Sequence, residues 1–222
     1  MSDGELEEVR DFWNRIADDW RIQVGDDGDR NRILNSDPVL WKFAGDVSGL
    51  TVLDAGCGTG YLSKKLRDRG ALVDEHFDVV IANYVLMDVP DLGGTMKAFN
   101  RVLRTGGMAV LVFSHPCFPQ GRATVSENDE ETCYCWSFTY FEQRKCADPP
   151  WGHFKSEFIW FHRPLSDYWK AFMAAGFAVV DFEEPRITED RYHLARNERE
   201  LKNGKTRPYS VAFKLQKKRK VA

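Results

Sequence analysis

The stretch Thr51-Val-Leu-Asp-Ala-Gly-Cys-Gly-Thr-Gly60 decides the fold. It reads as a buried strand running into a glycine-rich turn and then, from Tyr61 to Arg69, into a helix. Such a turn points backbone N–H groups at an anion. Gly56 and Gly58 allow torsions or a close ligand approach that a Cβ would forbid, and Gly60 lets the helix start against the strand. The G-x-G-x-G spacing differs from the G-x-G-x-x-G of a dinucleotide loop, and an acidic Asp54 stands inside the strand end. The expected ligand therefore carries a carboxylate and an ammonium group, and a dinucleotide oxidoreductase is disfavoured.

Downstream, Phe77-Asp-Val-Val-Ile-Ala-Asn-Tyr-Val-Leu-Met-Asp-Val-Pro90 reads as a second buried strand and its exit loop. Ala98 to Val112 reads as a helix, a turn and a third strand, and Phe161 to Gly176 as a last helix before a strand at Phe177 to Phe182. In this order the motifs resemble the class I, type 11-like, S-adenosylmethionine-dependent methyltransferases, over most of residues 10 to 215. The resemblance implies an α/β fold, a Rossmann-like three-layer α/β/α sandwich with a shortened, mostly parallel sheet. It implies S-adenosyl-L-methionine as cofactor, with its methionine end on the loop of Asp54, Gly56, Cys57 and Gly58. Asn83, Tyr84 and Val85 would lie near the methionine portion or the methyl group. In similar enzymes the N-terminal segment folds over the cofactor, which makes Trp20 and Arg32 candidate contacts. Val9, Phe12, Trp13, Ile16 and Trp20 have helical spacing, so Glu5 to Trp20 is expected to form an amphipathic lid.

The resemblance breaks after Val73. About one and a half strand-helix units, on the order of 40 residues, are absent there, and with them the acidic and polar groups that hold the ribose and adenine in the family. Asp74 and Glu75 stand nearby but not in the matching place. Two such hydrogen bonds are worth roughly 1.5–3 kcal/mol each, so cofactor affinity is in question. A join straight into the usual slot of the fourth family strand would be a left-handed crossover, whereas about 98% are right-handed. Either the first helix changes face, or Phe77 to Asn83 takes the vacant slot, or residues are missing relative to a parent protein. The chain is thus read as a methyltransferase for a small-molecule acceptor; the alternative is a cofactor-deficient deletion variant acting as a binding or regulatory protein.

On the acceptor side, Ser114-His-Pro-Cys-Phe118 follows the third strand at its carboxyl edge, where open α/β sheets bind ligands. His115 is the candidate general base, and His162 and Tyr168 are weaker ones. The aromatics between Thr132 and Trp169 suggest a small antiparallel cap in which Thr132 to Tyr140 pairs with Phe158 to Phe161, while Gly121 to Glu131 reads as a mobile loop. The chain divides into a helical lid (1–46), a cofactor core (47–114), a cap (115–163), the last helix and strands (164–216) and a basic tail (217–222).

Among 222 residues, 43% are apolar, enough for one sizeable core, and the net charge of -3 gives no general pull toward nucleic acid or anionic membrane. The acidic start lacks an apolar leader and no run is long enough to span a bilayer. Five scattered cysteines suit a reducing compartment, so a cytoplasmic protein is expected. Cys133, Cys135, Cys146 and His115 could be read as a zinc site, but C-x-C is not the usual knuckle, and no metal is expected. The exposed edge of a shortened sheet makes self-association plausible.

Overall fold

The computed structural model describes residues 3–72, 76–118, 123–125 and 132–219. Five strands form the main sheet: β1 (Val52–Ala55), β2 (Phe77–Asn83), β3 (Leu103–Ser114), β8 (Phe177–Glu183) and β9 (Ser210–Lys217). Their order is β1-β2-β3-β9-β8. The first three are parallel, and β9 pairs antiparallel with both β3 and β8.

Alternation along the strands makes the three layers. Val80, Ala82, Leu111, Phe113 and Phe213 face one way, against α4 (Leu92–Val102) and α5 (Leu165–Ala174). Val79, Ile81, Val110, Val112 and Ala212 face the other, against α2 (Asp37–Ala44) and α3 (Tyr61–Asp68). Tyr168 belongs to the first core: it is 2% exposed and stacks on Phe113 at 4.4 Å, a packing role rather than that of a free acid or base.

β2 therefore lies directly beside β1, and among the described residues nothing in the sheet lies beyond β1 except an isolated bridge between Thr51 and Leu72. Residues 71–72 begin to add a strand on that side. The described residues on either side of 73–75, Leu72 and His76, are both tied to the foot of β1. Leu50 and Val52 share backbone hydrogen bonds with Leu72, while Thr51 itself bonds His76 and Asp78 through its backbone and hydroxyl. Residues 73–75, including Asp74 and Glu75, lie outside the described residues. As an edge strand β1 is only half-buried along its length, against the sequence expectation of a buried strand.

Over the carboxyl ends of the strands lie α1 (Asp3–Val24) and the cap. Phe12 and Ile16 bury one stripe of α1, and Phe12 meets Phe158 edge to face at 6.0 Å. The expected cap pairing is corrected. β5 (Thr132–Tyr134) pairs with β4 (Ala123–Val125), and β7 (Phe158–His162) pairs with β6 (Arg144–Asp148). Trp136, Phe138 and Tyr140 pack instead around the His162 ring at 5.0–5.6 Å, so their near-alternation reflects a small aromatic cluster and not a long strand. Most of Gly121 to Glu131 lies outside the described residues. The tail also begins later than expected, because Lys217 ends β9 and its ammonium donates to the carbonyls of Asn100 and Leu103 at 2.6 and 2.7 Å. After α5 the chain closes through a 3₁₀ turn, Glu189–Leu194, and α6 (Glu198–Thr206). No described helix is long and apolar enough to cross a membrane.

Candidate active site

The glycine loop adopts the geometry its spacing requires. Gly56, Gly58 and Gly60 have φ of 69°, 52° and 79°, a region that side chains disfavour. Gly56 also has no room, since a Cβ there would stand 2.6 Å from Val85 Cγ2. Gly60 caps α3, whose first N–H groups open toward the loop. Behind them Asp54 accepts a hydrogen bond from the Ser63 hydroxyl at 2.6 Å, and burial pushes its pKa up despite that bond.

Asn83, at the end of β2, donates to the Tyr61 hydroxyl at 2.7 Å, and Tyr61 in turn donates to Asp37 at 3.2 Å. The Asn83 Oδ1 is buried with no partner. Next to it Tyr84 is the one described non-glycine residue with positive φ, 58°. Strain of that kind persists where the surroundings over-determine it. Here the Tyr84 N–H donates to the Val112 carbonyl at 2.7 Å, and its hydroxyl is gripped by Asn31 and Ser210.

Two cavities open on this wall. One, of about 680 Å³, is floored by the loop Asp54–Thr59 and roofed by α1 through Trp13, Asn14, Asp18 and Arg21. The other, of about 530 Å³, lies under the cap and is bounded by Ser114, His115, Phe158 and Trp160. Trp13, Trp20, Arg32, Tyr84 and Asp88 border both. Trp20 and Arg32, separated from the glycine loop in sequence, are thus brought to the same wall as Asp54, Gly56, Cys57, Gly58, Asn83, Tyr84 and Val85. Arg32 pairs with Asp29 and lies 4.8 Å from the Tyr84 ring centre and 5.7 Å from that of Trp20.

His115 reaches the second cavity with both nitrogens engaged. Nδ1 accepts from the Cys117 N–H at 3.1 Å, so the proton sits on Nε2, which donates to Glu184 Oε1 at 2.6 Å. Burial holds its pKa below the ordinary value in spite of Glu184. No lone pair is left to take a proton from a ligand in this arrangement. His162 likewise donates through Nε2 to the Tyr140 carbonyl at 2.8 Å. The residue that sequence reasoning missed is Asp88, quoted only as part of a strand-exit motif. Nothing local distinguishes it from the neighbouring Asp91, which caps α4. Among the described residues no three His, Cys, Asp or Glu side chains gather in a metal-binding group.

The same arrangement of sheet and helices recurs in solved structures. An S-adenosylmethionine-dependent methyltransferase of Mesorhizobium loti superposes with a TM-score of 0.66 at 18% identity, over 86% of this chain and 100% of that one. The chain has the fold of a class I S-adenosylmethionine-dependent methyltransferase. This methyltransferase fold is shared with the Burkholderia thailandensis 1,6-didemethyltoxoflavin-N1-methyltransferase (TM-score 0.59, 15% identity, 99% and 92% of the two chains). It is shared as well with the magnesium protoporphyrin IX methyltransferase of Synechocystis PCC 6803, at 0.56 and 16%, over 96% and 97%. The sequence family described as Methyltransferase domain matches residues 71–111. A curated relative, the malonyl-[acyl-carrier protein] O-methyltransferase of Hamiltonella defensa subsp. Acyrthosiphon pisum (strain 5AT), is 28% identical over 108 residues, in 34% of this chain. The chain spans 41% of that relative's length.

Proposed function

We propose that the chain transfers a methyl group from S-adenosylmethionine to a small-molecule acceptor. The observation that carries this is the meeting of two cavities at Trp13, Trp20, Arg32, Tyr84 and Asp88, one of them floored by the glycine loop. The residues suit the cofactor. The Gly56 cradle would be filled by a Cβ, the desolvated Asp54 carboxylate suits an ammonium, and the orphaned Asn83 Oδ1 is an acceptor awaiting a donor. The cofactor supplies an electrophilic methyl carbon on a cationic sulfur. Alignment and exclusion of water then do most of the work, and α1 and the aromatic cap provide both. A roofed cavity of about 530 Å³ is of small-molecule size. Trp20 and Arg32 serve as the wall between donor and acceptor, and His115 anchors the cap to Glu184 rather than moving a proton.

The ribose carboxylate of the family has no described counterpart, and we assign its role to Asn14 and Asp18 of α1, which face the same cavity. An internal deletion accounts for the loss. The alignment with the curated relative is 108 positions long yet draws on 34% of this chain, about 75 residues, which supports that reading. That same loss favours a second reading, a cofactor-deficient binding or regulatory protein. Calorimetric titration with S-adenosylhomocysteine separates the two: micromolar binding supports the methyltransferase, and no binding by a folded chain supports the second reading.

A further inference from the structure

The cavity under the cap holds a carboxyl group that no described residue answers. Its walls are aromatic, with Trp13, Trp20, Trp151, Phe158, Trp160 and Tyr168 around the space. Two cations reach it, and both are engaged. Arg32 pairs with Asp29 through Nη1 while its buried Nε has no partner, and Arg163 donates to the carbonyls of Leu86, Val89 and Pro90 at 3.2, 2.6 and 2.9 Å. Asp88 sits on the turn after β2 and borders both cavities. Among the described residues its carboxyl has no hydrogen-bond or ion-pair partner, and burial pushes its pKa well above the usual carboxylate range, opposed only by Arg32. Ring faces attract a cation and a desolvated carboxylate demands one. A neutral or anionic group of the same shape would gain neither interaction.

We propose that the cavity under the cap takes an arylalkylamine as methyl acceptor, with its ammonium held by Asp88. This rests on the methyl-transfer reading above. The ammonium gives one proton to the Asp88 carboxylate, which becomes a carboxylic acid, and the electron pair of the broken N–H bond stays on nitrogen. That nitrogen forms the new bond to the methyl carbon and gains the positive charge that sulfur loses as the carbon–sulfur pair returns to it. Asp88 gives its proton to water when the product leaves. The position of Asp88 on both cavities puts the proton acceptor where donor and acceptor meet.

Isothermal titration of the full chain with tryptamine, tryptophol and indole-3-acetate, in the presence of S-adenosylhomocysteine, tests this. The three keep one ring and exchange the ammonium for a hydroxyl or a carboxylate. Tryptamine is expected to bind about tenfold or more tighter than the other two. Asp88→Asn is expected to remove that preference. Equal binding of the three by the wild-type chain, or no tryptamine binding, overturns the proposal even if the variant fails to fold. A folded Asp88→Asn chain that weakens S-adenosylmethionine but neither S-adenosylhomocysteine nor tryptamine also overturns it, since Asp88 would then serve the sulfonium. Failure of the folded wild-type chain to bind S-adenosylhomocysteine counts against the methyl-transfer reading instead, and the three indoles titrated alone still decide whether the cavity selects an amine.

Discussion

Gly56 is the most constrained position of the site, because its φ of 69° and the 2.6 Å that would separate a Cβ there from Val85 Cγ2 act together. Gly56→Ala is expected to cost about 1–3 kcal/mol of stability, read as a lower urea midpoint, and to weaken S-adenosylhomocysteine binding. Tyr84→Phe removes the hydroxyl that Asn31 and the fully buried Ser210 share. A loss of about 1–2 kcal/mol follows from leaving those groups unsatisfied, measurable in the same unfolding experiment. Two histidines set the behaviour in mild acid. Burial holds His115 and His162 below their ordinary pKa of 6.5, so the folded chain binds fewer protons than the unfolded one in this range. Their stability contribution is complete above 6.5 and is lost as pH falls through the folded values. The thermal midpoint should therefore drop between pH 7.5 and 5.5, and His115→Gln should flatten that drop.

At the scale of elements, what was legible in the sequence was local. The strand ends at Ala55 and Asn83, the glycine turn, and the helix start at Tyr61 all follow from short-range periodicity and turn chemistry. Pairing in the cap was not legible. β6 is Arg-Lys-Cys-Ala-Asp, with one buried side chain in five, and carries no alternation to announce a strand. The roof of the site lay between: helical spacing announced α1, but only the fold shows that its Asn14 and Asp18 side faces the cavity while Phe12 and Ile16 face inward. Asp88 escaped for the same reason, since desolvation is a property of the cavity and not of the residue. If α1 is the lid of the cofactor cavity, its central amides should exchange more slowly when S-adenosylhomocysteine is bound, and amides of α4 on the far face of the sheet should not change. Hydrogen-exchange mass spectrometry checks both.

For the molecule as a whole, the decisive feature is a sheet that, among the described residues, stops at β1. Backbone bonds from Val52 and Leu50 reach Leu72 on the open side, and those from Thr51 reach β2, so alternation turns the backbone of Asp54 outward. An open edge is a template for another strand. Sedimentation velocity over a range of concentrations is expected to show reversible self-association. A chain that stays monomeric to about 100 µM would mean that an edge this short does not template pairing by itself.

The position of β9 bears on the order in which the molecule is assembled. Thr51 and Asp78 are 27 residues apart, whereas Met108 and its β9 partner Gln216 are separated by about four times as much chain. Closing the longer loop costs about 1 kcal/mol more entropy. Local pairing of β1, α3 and β2 is thus favoured early, and the last strand in chain order must enter the middle of the sheet, between β3 and β8. It brings Ser210 to the Tyr84 hydroxyl. A nascent chain that already displays its glycine loop to the solvent therefore still lacks a finished binding wall, and acquires one only when its final strand has been made.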